Sequence, residues 1–548
     1  MTAKSWKDIA LQKQTARNSC IPAKWVNGSL KQDMETAGYT NTREYLDSIL
    51  DPEETSIVNL TMVSLISKIS SGELSSVQVA EAYCHRAMLV HQILNCCSEI
   101  FVDKALEKAQ ELDEYYKKYG KVVGPLHGVP ISLKDQFDIP GLDSSLGYVS
   151  LTGKPKTEIS LLAGFLEKAG AVFYVKTTVP MAMMAPETVS NVNGYTFNSL
   201  NNKLTCGGSS GGEGALIAAG GSPMGFGTDL GGSIRIPASF QGLYALKPST
   251  NRFSYLRISN SYSGQGAIPS VVGPMARSLQ DIEYIAKLVL NGGLWETDPK
   301  VLPIPFREIE MSKLVIGIWK FDGKILPHPP LLRALHETSA ALKAHGHEVV
   351  EIDFPSLQII EVADRVYKAD EGREVFEECK VSGEPIVPAV KPLITSTPGH
   401  QPLSVNEWWD VDNQSYVCKQ QFLKFWSETA GLTNSGRPID AIICPVWPSG
   451  AFLPGGPAAM NYSCPFNLLE SPCAVLPVAT ASKTLDPVNT GYVPFDETDM
   501  LIQKAYDPEL QDGLPVCLQV VGKKLDDEKV LAIASVVKSC LVADRGRF

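Results

Sequence analysis

No CxxC spacing occurs in this sequence of 548 residues, although it holds twelve cysteines. That removes the usual zinc ribbon, whose thiolates come in such pairs. Only Cys96 and Cys97 are neighbours. Scattered thiols suit a reducing compartment, where disulfides are rare, so a cytoplasmic location is expected. Long hydrophobic runs are missing as well. None reaches the about 18 to 20 residues needed to cross a bilayer, and the polar start MTAKSWKDIALQKQ lacks the apolar stretch of a signal peptide. Positive charge is scarce: 49 Lys and Arg against 60 Asp and Glu leave a net charge of −11. Nucleic acid and anionic membrane both require a basic face, so neither is expected as a partner. The glycine-rich part of the chain contains no Walker loop. Gly225-Phe226-Gly227 begins a dinucleotide fingerprint, but Leu230 stands where its last glycine would be. A phosphate cradle is excluded on spacing.

What is present is an alternation of short β-branched runs with amphipathic helical stretches. GVPISLKD, AVFYVKT, LVIGIW, EVVEID, DAIICPV, CAVLPVA and VCLQVVG read as buried strands. LQDIEYIAKLVL and PLLRALHETSAALKAHG between them read as helices, as does VDKALEKAQELDEYYKKYG, stopped by Gly120. Ser75 with Gln78 forms a capping box that opens a helix after a break at Ser71-Gly72. The pattern predicts a single large α/β/α domain around a central mixed β-sheet. Residues 1–55 show little sustained periodicity and read as an arm, part of a helical N-terminal portion wrapped on that domain.

Between Gly207 and Gly232, eleven of twenty-six residues are glycine. Glycine loses the most backbone entropy on folding, so this density needs a reason. One reading is a nucleophile elbow, since Gly207-Gly-Ser209-Ser-Gly211 fits GxSxG. It would need a downstream histidine, and His328, His336, His345, His347 and His400 have no distinctive surroundings. The other reading joins both glycine clusters. Successive N–H groups of Leu230, Gly231, Gly232 and Ser233 can converge as an anion-binding nest, and Ser233 can attack a carbonyl whose oxygen swings into it. A side chain on Gly231 or Gly232 would crowd the substrate. A serine hydroxyl needs a base. Lys134 ends a predicted buried strand, where desolvation favours the neutral amine, and Ser209 or Ser210 could carry the proton between them.

The stretch CGGSSGGEGALIAAGGSPMGFGTDLGGSIRIPASFQGLYALKPS resembles the amidase signature sequence, long and nearly without gaps. GPLHGVPISLKD resembles the segment that carries that family's lysine, and GLPVCLQVVGKKLDDEKVLAIA its C-terminal strand and helix. The likeness is greatest to fungal acetamidase-type amidases and extends to fatty-acid amide hydrolases. The resemblance implies a Ser–cis-Ser–Lys triad: Ser233 as nucleophile, Ser209 as the bridging serine in a cis peptide bond, Lys134 as base. It implies an amidase domain over 56–548 behind the arm 1–55. It also implies hydrolysis of a small-molecule amide to acid plus ammonia or amine, with no metal or organic cofactor, and a homodimer among the expected states.

Around the triad, Ser210 and Thr228 are candidate supports, and Asp229 with Arg235 a structural pair bracing the loop. Met183 and Met184, with Gly207 and Gly208, are candidates for lining the substrate pocket, beside the plainer reading of core packing. Two other functions remain open at this point. One is an amidotransferase subunit delivering ammonia to a partner. The other is a catalytically inert amidase-like binding protein.

Overall fold

The computed structural model describes residues 4–396 and 401–545, the side chains at 544 and 545 excepted; His400 lies outside them. Among these described residues, thirteen strands form. The first seven are β1 (Cys97–Ile100), β2 (Pro130–Lys134), β3 (Val172–Thr177), β4 (Val189–Ser190), β5 (Gly194–Tyr195), β6 (Met224–Asp229) and β7 (Tyr244–Lys247). The rest are β8 (Val271–Ala276), β9 (Val315–Ile318), β10 (Glu348–Glu351), β11 (Ala441–Pro445), β12 (Cys473–Thr480) and β13 (Pro515–Val521). Strands β4 and β5 make a small hairpin; the other eleven form one sheet in the order β1-β3-β2-β6-β8-β7-β12-β13-β11-β9-β10. The sheet is mixed: β2 runs parallel to β3 and β6, while β6, β8, β7, β12, β13 and β11 pair antiparallel in turn. This is the α/β architecture that the alternation predicts.

Strand residues alternate between two cores, as period-2 geometry demands. On β13, Val516, Leu518 and Val520 enter the largest core, packed against the helices Pro329–Ala344 and Asp527–Arg545. Cys517 and Val521 enter cores on the opposite face, beneath Arg235–Phe240 and Val405–Glu428. Helices therefore cover both faces.

All seven sequence-predicted strands form. EVVEID differs in burial, because β10 is the sheet edge and its residues are half-buried or exposed. The helices Leu279–Leu290, Pro329–Ala344 and Val102–Tyr119 fall where periodicity puts them, the last stopped by left-handed Gly120. The Ser75/Gln78 capping box is present, each side chain bonded to the other's backbone N–H at 3.0 and 2.9 Å. Residues 1–55 are more regular than their pattern suggests. They hold the helices Trp6–Ser19, Leu30–Thr36 and Thr42–Ile49 and begin Pro52–Val58. Each is short or weakly amphipathic, and its order comes from packing on the body. Arg17 donates to the Cys97 carbonyl at 2.9 Å, on the edge strand β1.

Candidate active site

Adjacent parallel strands end on the same side of a sheet, and that is where such sheets hold their ligands. Strands β2 and β6 are such neighbours, with Leu133 opposite Phe226. Their C-terminal ends bring Lys134 beside Thr228, ninety-four residues further along the chain. Lys134 is fully buried, and its Nζ donates to Ser209 Oγ at 2.8 Å and Thr228 Oγ1 at 2.7 Å. Burial pushes its pKa down to about 7, against the upward pull of Asp229, Asp135 and Glu213.

Ser209 follows Gly208 through a cis peptide bond. Ser210 begins the turn into the helix Gly211–Ala218 and joins the two glycine clusters. Its N–H donates to the Ser233 carbonyl at 3.0 Å, and its hydroxyl meets both the N–H and the carbonyl of Thr228 at 3.3 Å. This helix lies directly on β6. A Cβ at Gly225 would collide with Glu213, and one at Gly227 with Ser210 Oγ. Those two glycines therefore serve close packing.

Asp229 and Arg235 brace the next turn. Arg235 Nε and Nη2 each reach a carboxylate oxygen at 3.0 Å, with both side chains fully buried. Asp229 also accepts from the N–H groups of Gly232 at 2.9 Å and Ile234 at 3.1 Å, and from Asn467 at 2.8 Å. Burial pushes this carboxyl up, but Arg235 and the hydrogen bonds outweigh it and hold the group well below the usual carboxylate range. On the far side of Arg235, Nη1 donates to the Ser463 carbonyl at 3.0 Å and Gln519 at 3.2 Å.

The four N–H groups expected to form a nest are not equivalent. That of Gly232 donates to Asp229 Oδ1 at 2.9 Å. Those of Leu230, Gly231 and Ser233 have no acceptor among the described residues. The carbonyls of Leu230 and Gly231 are pinned instead, by Tyr367 Oη at 2.9 Å and Ser463 Oγ at 2.7 Å. Gly232 has φ +133, and a Cβ there would strike Ile236 and Ser463. The obstacle is the protein itself rather than the substrate.

Ser233 is half-buried, and its hydroxyl makes no hydrogen bond among the described residues. The link from Lys134 to Ser209 is thus formed, and a bond from Ser209 to Ser233 is not. Both serines line one small cavity with Thr228, Met183, Met184 and Leu230. A second cavity of about 40 Å³ touches Ser233 on its apolar side, walled by Met183, Met184, Leu230, Ile236, Leu393 and Met460. It also borders Gly208. Gly207 reaches neither cavity; a Cβ there would meet Pro237. Ala182 and Met183 both take left-handed φ of 58°, an unfavourable backbone for side-chain-bearing residues, and this turn sets Met183 and Met184 at the cavity wall.

No described histidine lines either cavity, so the elbow reading has no base. His91, Cys96 and Cys97 come close enough to suggest a metal centre. Both His91 nitrogens are engaged, however: Nδ1 accepts the Cys97 N–H at 3.1 Å and Nε2 lies 3.2 Å from Asn18 Oδ1.

Three participants escaped the sequence reading. Gln136 stands two positions after Lys134, in the turn beyond β2, and accepts from Thr228 Oγ1 at 2.6 Å; no periodicity marks it. Glu213 is buried against Ser132 and Thr177, and burial raises its pKa to about 7. A lone acid in the apolar helix GGEGALIA was its signal. Asn467 carries no local signal at all.

The broad mixed sheet, covered by helices on both faces, defines the class as α/β, with the candidate site at the ends of its parallel strands β2 and β6. Comparison with known proteins narrows it. The family model described as Amidase matches residues 78–531. An acetamidase of Emericella nidulans is 40% identical over 98% of both chains. A probable amidase of Saccharomyces cerevisiae is 39% identical over 97% of this chain and 98% of its own. The solved structure of a fatty acid amide hydrolase superposes with a TM-score of 0.92 at 33% identity, covering 98% of this chain and 95% of the other. The chain belongs to the amidase family, and it is an enzyme that hydrolyses amides.

Proposed function

We propose that the protein cleaves a small aliphatic carboxylic amide through an acyl-enzyme on Ser233. The observation that carries this reading is Lys134: fully buried, 2.8 Å from Ser209 Oγ, with its pKa near 7. At neutral pH a large fraction of such a lysine is free amine and can act as a base. The neutral amine takes the Ser209 proton as Ser209 takes that of Ser233, and Ser233 Oγ attacks the amide carbon. The N–H groups of Leu230, Gly231 and Ser233 face the resulting oxyanion, each such donor being worth about 3 to 4 kcal/mol. The relay then returns the proton to the leaving nitrogen, the C–N bond breaks, and ammonia or amine departs. Water, deprotonated through the same relay, releases the acid and restores Ser233. Ser209 and Ser233 line the same cavity, and catalytic bonds often tighten only with substrate bound.

The roughly 40 Å³ cavity beside Ser233 supports a short acyl group. Relatives named acetamidase agree with that size. A far wider cleft, about 1170 Å³, adjoins it through Pro186, Tyr367, Leu393 and Met460 and offers the approach. No disulfide joins the cysteines among the described residues, which supports a reducing, cytoplasmic location. Among the described residues no helix is long and apolar enough to cross a membrane. We assign residues 1–55 as an arm and 56–548 as the catalytic domain.

Mass spectrometry after a fluorophosphonate and after a panel of amides tests the reading. The expected label and acyl adduct sit on Ser233, and Ser233→Ala loses both and at least ~10⁴-fold in kcat. A label on Ser209 or Ser210, or an active Ser233→Ala enzyme, overturns it. Turnover should fall from acetamide to hexanamide as the acyl group outgrows its cavity.

A further inference from the structure

Lys134 has two hydroxyl neighbours, and only one of them belongs to the proposed relay. Thr228 Oγ1 is as close as Ser209 Oγ, at 2.7 against 2.8 Å. A neutral primary amine has two N–H bonds and one lone pair. If the Thr228 hydroxyl donated into that lone pair, Ser209 could not pass its proton on. Something must hold the Thr228 hydrogen elsewhere.

Gln136 stands at that place. It is fully buried, and its Oε1 accepts from Thr228 Oγ1 at 2.6 Å. Its amide orientation is dictated by what lies behind it. Nε2 sits 2.8 Å from the Ser259 carbonyl, which can only accept, and 2.7 Å from Tyr255 Oη, which in turn donates to Ser270 Oγ at 3.2 Å. The NH₂ edge must face Ser259, so the carbonyl edge must face Thr228. The side chain is not needed to fasten that segment. The backbone already does so, through Ser259 N–H to the Gln136 carbonyl at 2.9 Å and the bridge between Phe137 and Ile258.

Resting on the Ser233–Ser209–Lys134 reading, we propose that Gln136 is a positioning residue that sets the direction of proton transfer. It fixes the Thr228 hydroxyl as an acceptor toward Lys134, so that the lysine lone pair is left to Ser209 alone. Thr228 is the acceptor in both protonation states: an ammonium donates to both oxygens, and a neutral amine donates to Thr228 and accepts from Ser209. The charged groups that also face Lys134 are Asp229 from the end of β6, Asp135 from the end of β2, and Glu213 from the helix Gly211–Ala218. None of them lies between Thr228 and Gln136.

The test is kcat, KM and the pH profile of acetamide hydrolysis for Gln136→Leu, Gln136→Glu, Thr228→Val and the Gln136→Leu/Thr228→Val pair. Gln136→Leu removes the acceptor, and kcat should fall ~10- to 100-fold with KM within about twofold, a share of the usual general-base contribution. Gln136→Glu keeps an acceptor for Thr228 but adds charge near the lysine. Its alkaline kcat should come within a few fold of the parent, while its pH limb moves to higher pH. In the double variant the competing donor is gone, so its loss should be smaller than the product of the two single losses. Equal damage in the Leu and Glu variants at every pH, or multiplicative losses in the pair, would show a merely structural role and overturn the proposal. So would a folded Gln136→Leu enzyme with parental kcat. Should Gln136→Leu fail to fold, the Glu variant decides alone: an alkaline kcat more than ~10-fold below the parent overturns the assignment. Failure of the underlying reading would look different, because the parent enzyme itself would then form no adduct on Ser233.

Discussion

Lys134 is where the chemistry becomes measurable. Its ordinary pKa of 10.5 is lowered to about 7 by burial. Protonation removes the base, so kcat should rise with pH through about 7 and level off above it, falling about tenfold per unit on the acid side. A profile flat from pH 5 to 9 with acetamide contradicts the lysine base. The stability effect has a separate window. Between about 7 and 10.5 the unfolded chain holds this proton and the folded chain does not, so stability rises with pH there. The burden is fully present below pH 7. Lys134→Met should therefore be inactive yet melt no lower than the parent at neutral pH, which thermal unfolding checks.

The elements around the candidate site were legible to different degrees. Alternation exposed β2 and β3, because central strands buried on both faces read as apolar runs. It missed β6, whose sequence MGFGTD trades side chains for glycines so that the helix Gly211–Ala218 can lie against it. It also missed β8, VVGPMA, where glycine and proline imitate a loop. The turn after β6 depends on Asp229 and Arg235, a bidentate pair with no exposed surface. Arg235→Met leaves Asp229 charged, buried and without its counterion, and should cost about 3 to 5 kcal/mol by urea unfolding. A loss below about 1 kcal/mol would mean that Asn467 and the backbone donors suffice. The cavity wall offers a gain-of-function counterpart. Met460 borders Ser233's apolar cavity, so Met460→Ala should raise kcat/KM for butyramide relative to acetamide. An unchanged ratio would place the acyl group elsewhere.

At the scale of the whole molecule, the N-terminal arm behaves as part of the core. Trp25, Leu30, Met34, Tyr45 and Leu46 share one buried cluster with Met88, Val90 and Leu94 of the helix Ser76–Leu94. Burying such a side chain is worth about 1.5 to 3 kcal/mol. Lys13 adds ion pairs to Glu99 and to Asp143 at 2.7 Å. A chain lacking residues 1–55 should be insoluble or melt at a lower temperature than the intact protein. An unchanged melting temperature would show that the arm is dispensable. The sequence determined the class of fold, because strand and helix periods are local patterns, and its long glycine–serine motif pointed to the proposed triad through a family resemblance. Tertiary structure alone decided that Gly232's N–H belongs to Asp229, that Gln136 faces Thr228, and that the cavity beside Ser233 is small. Each of these depends on groups brought together by parallel pairing and layer packing, and no spacing along the chain encodes such distances.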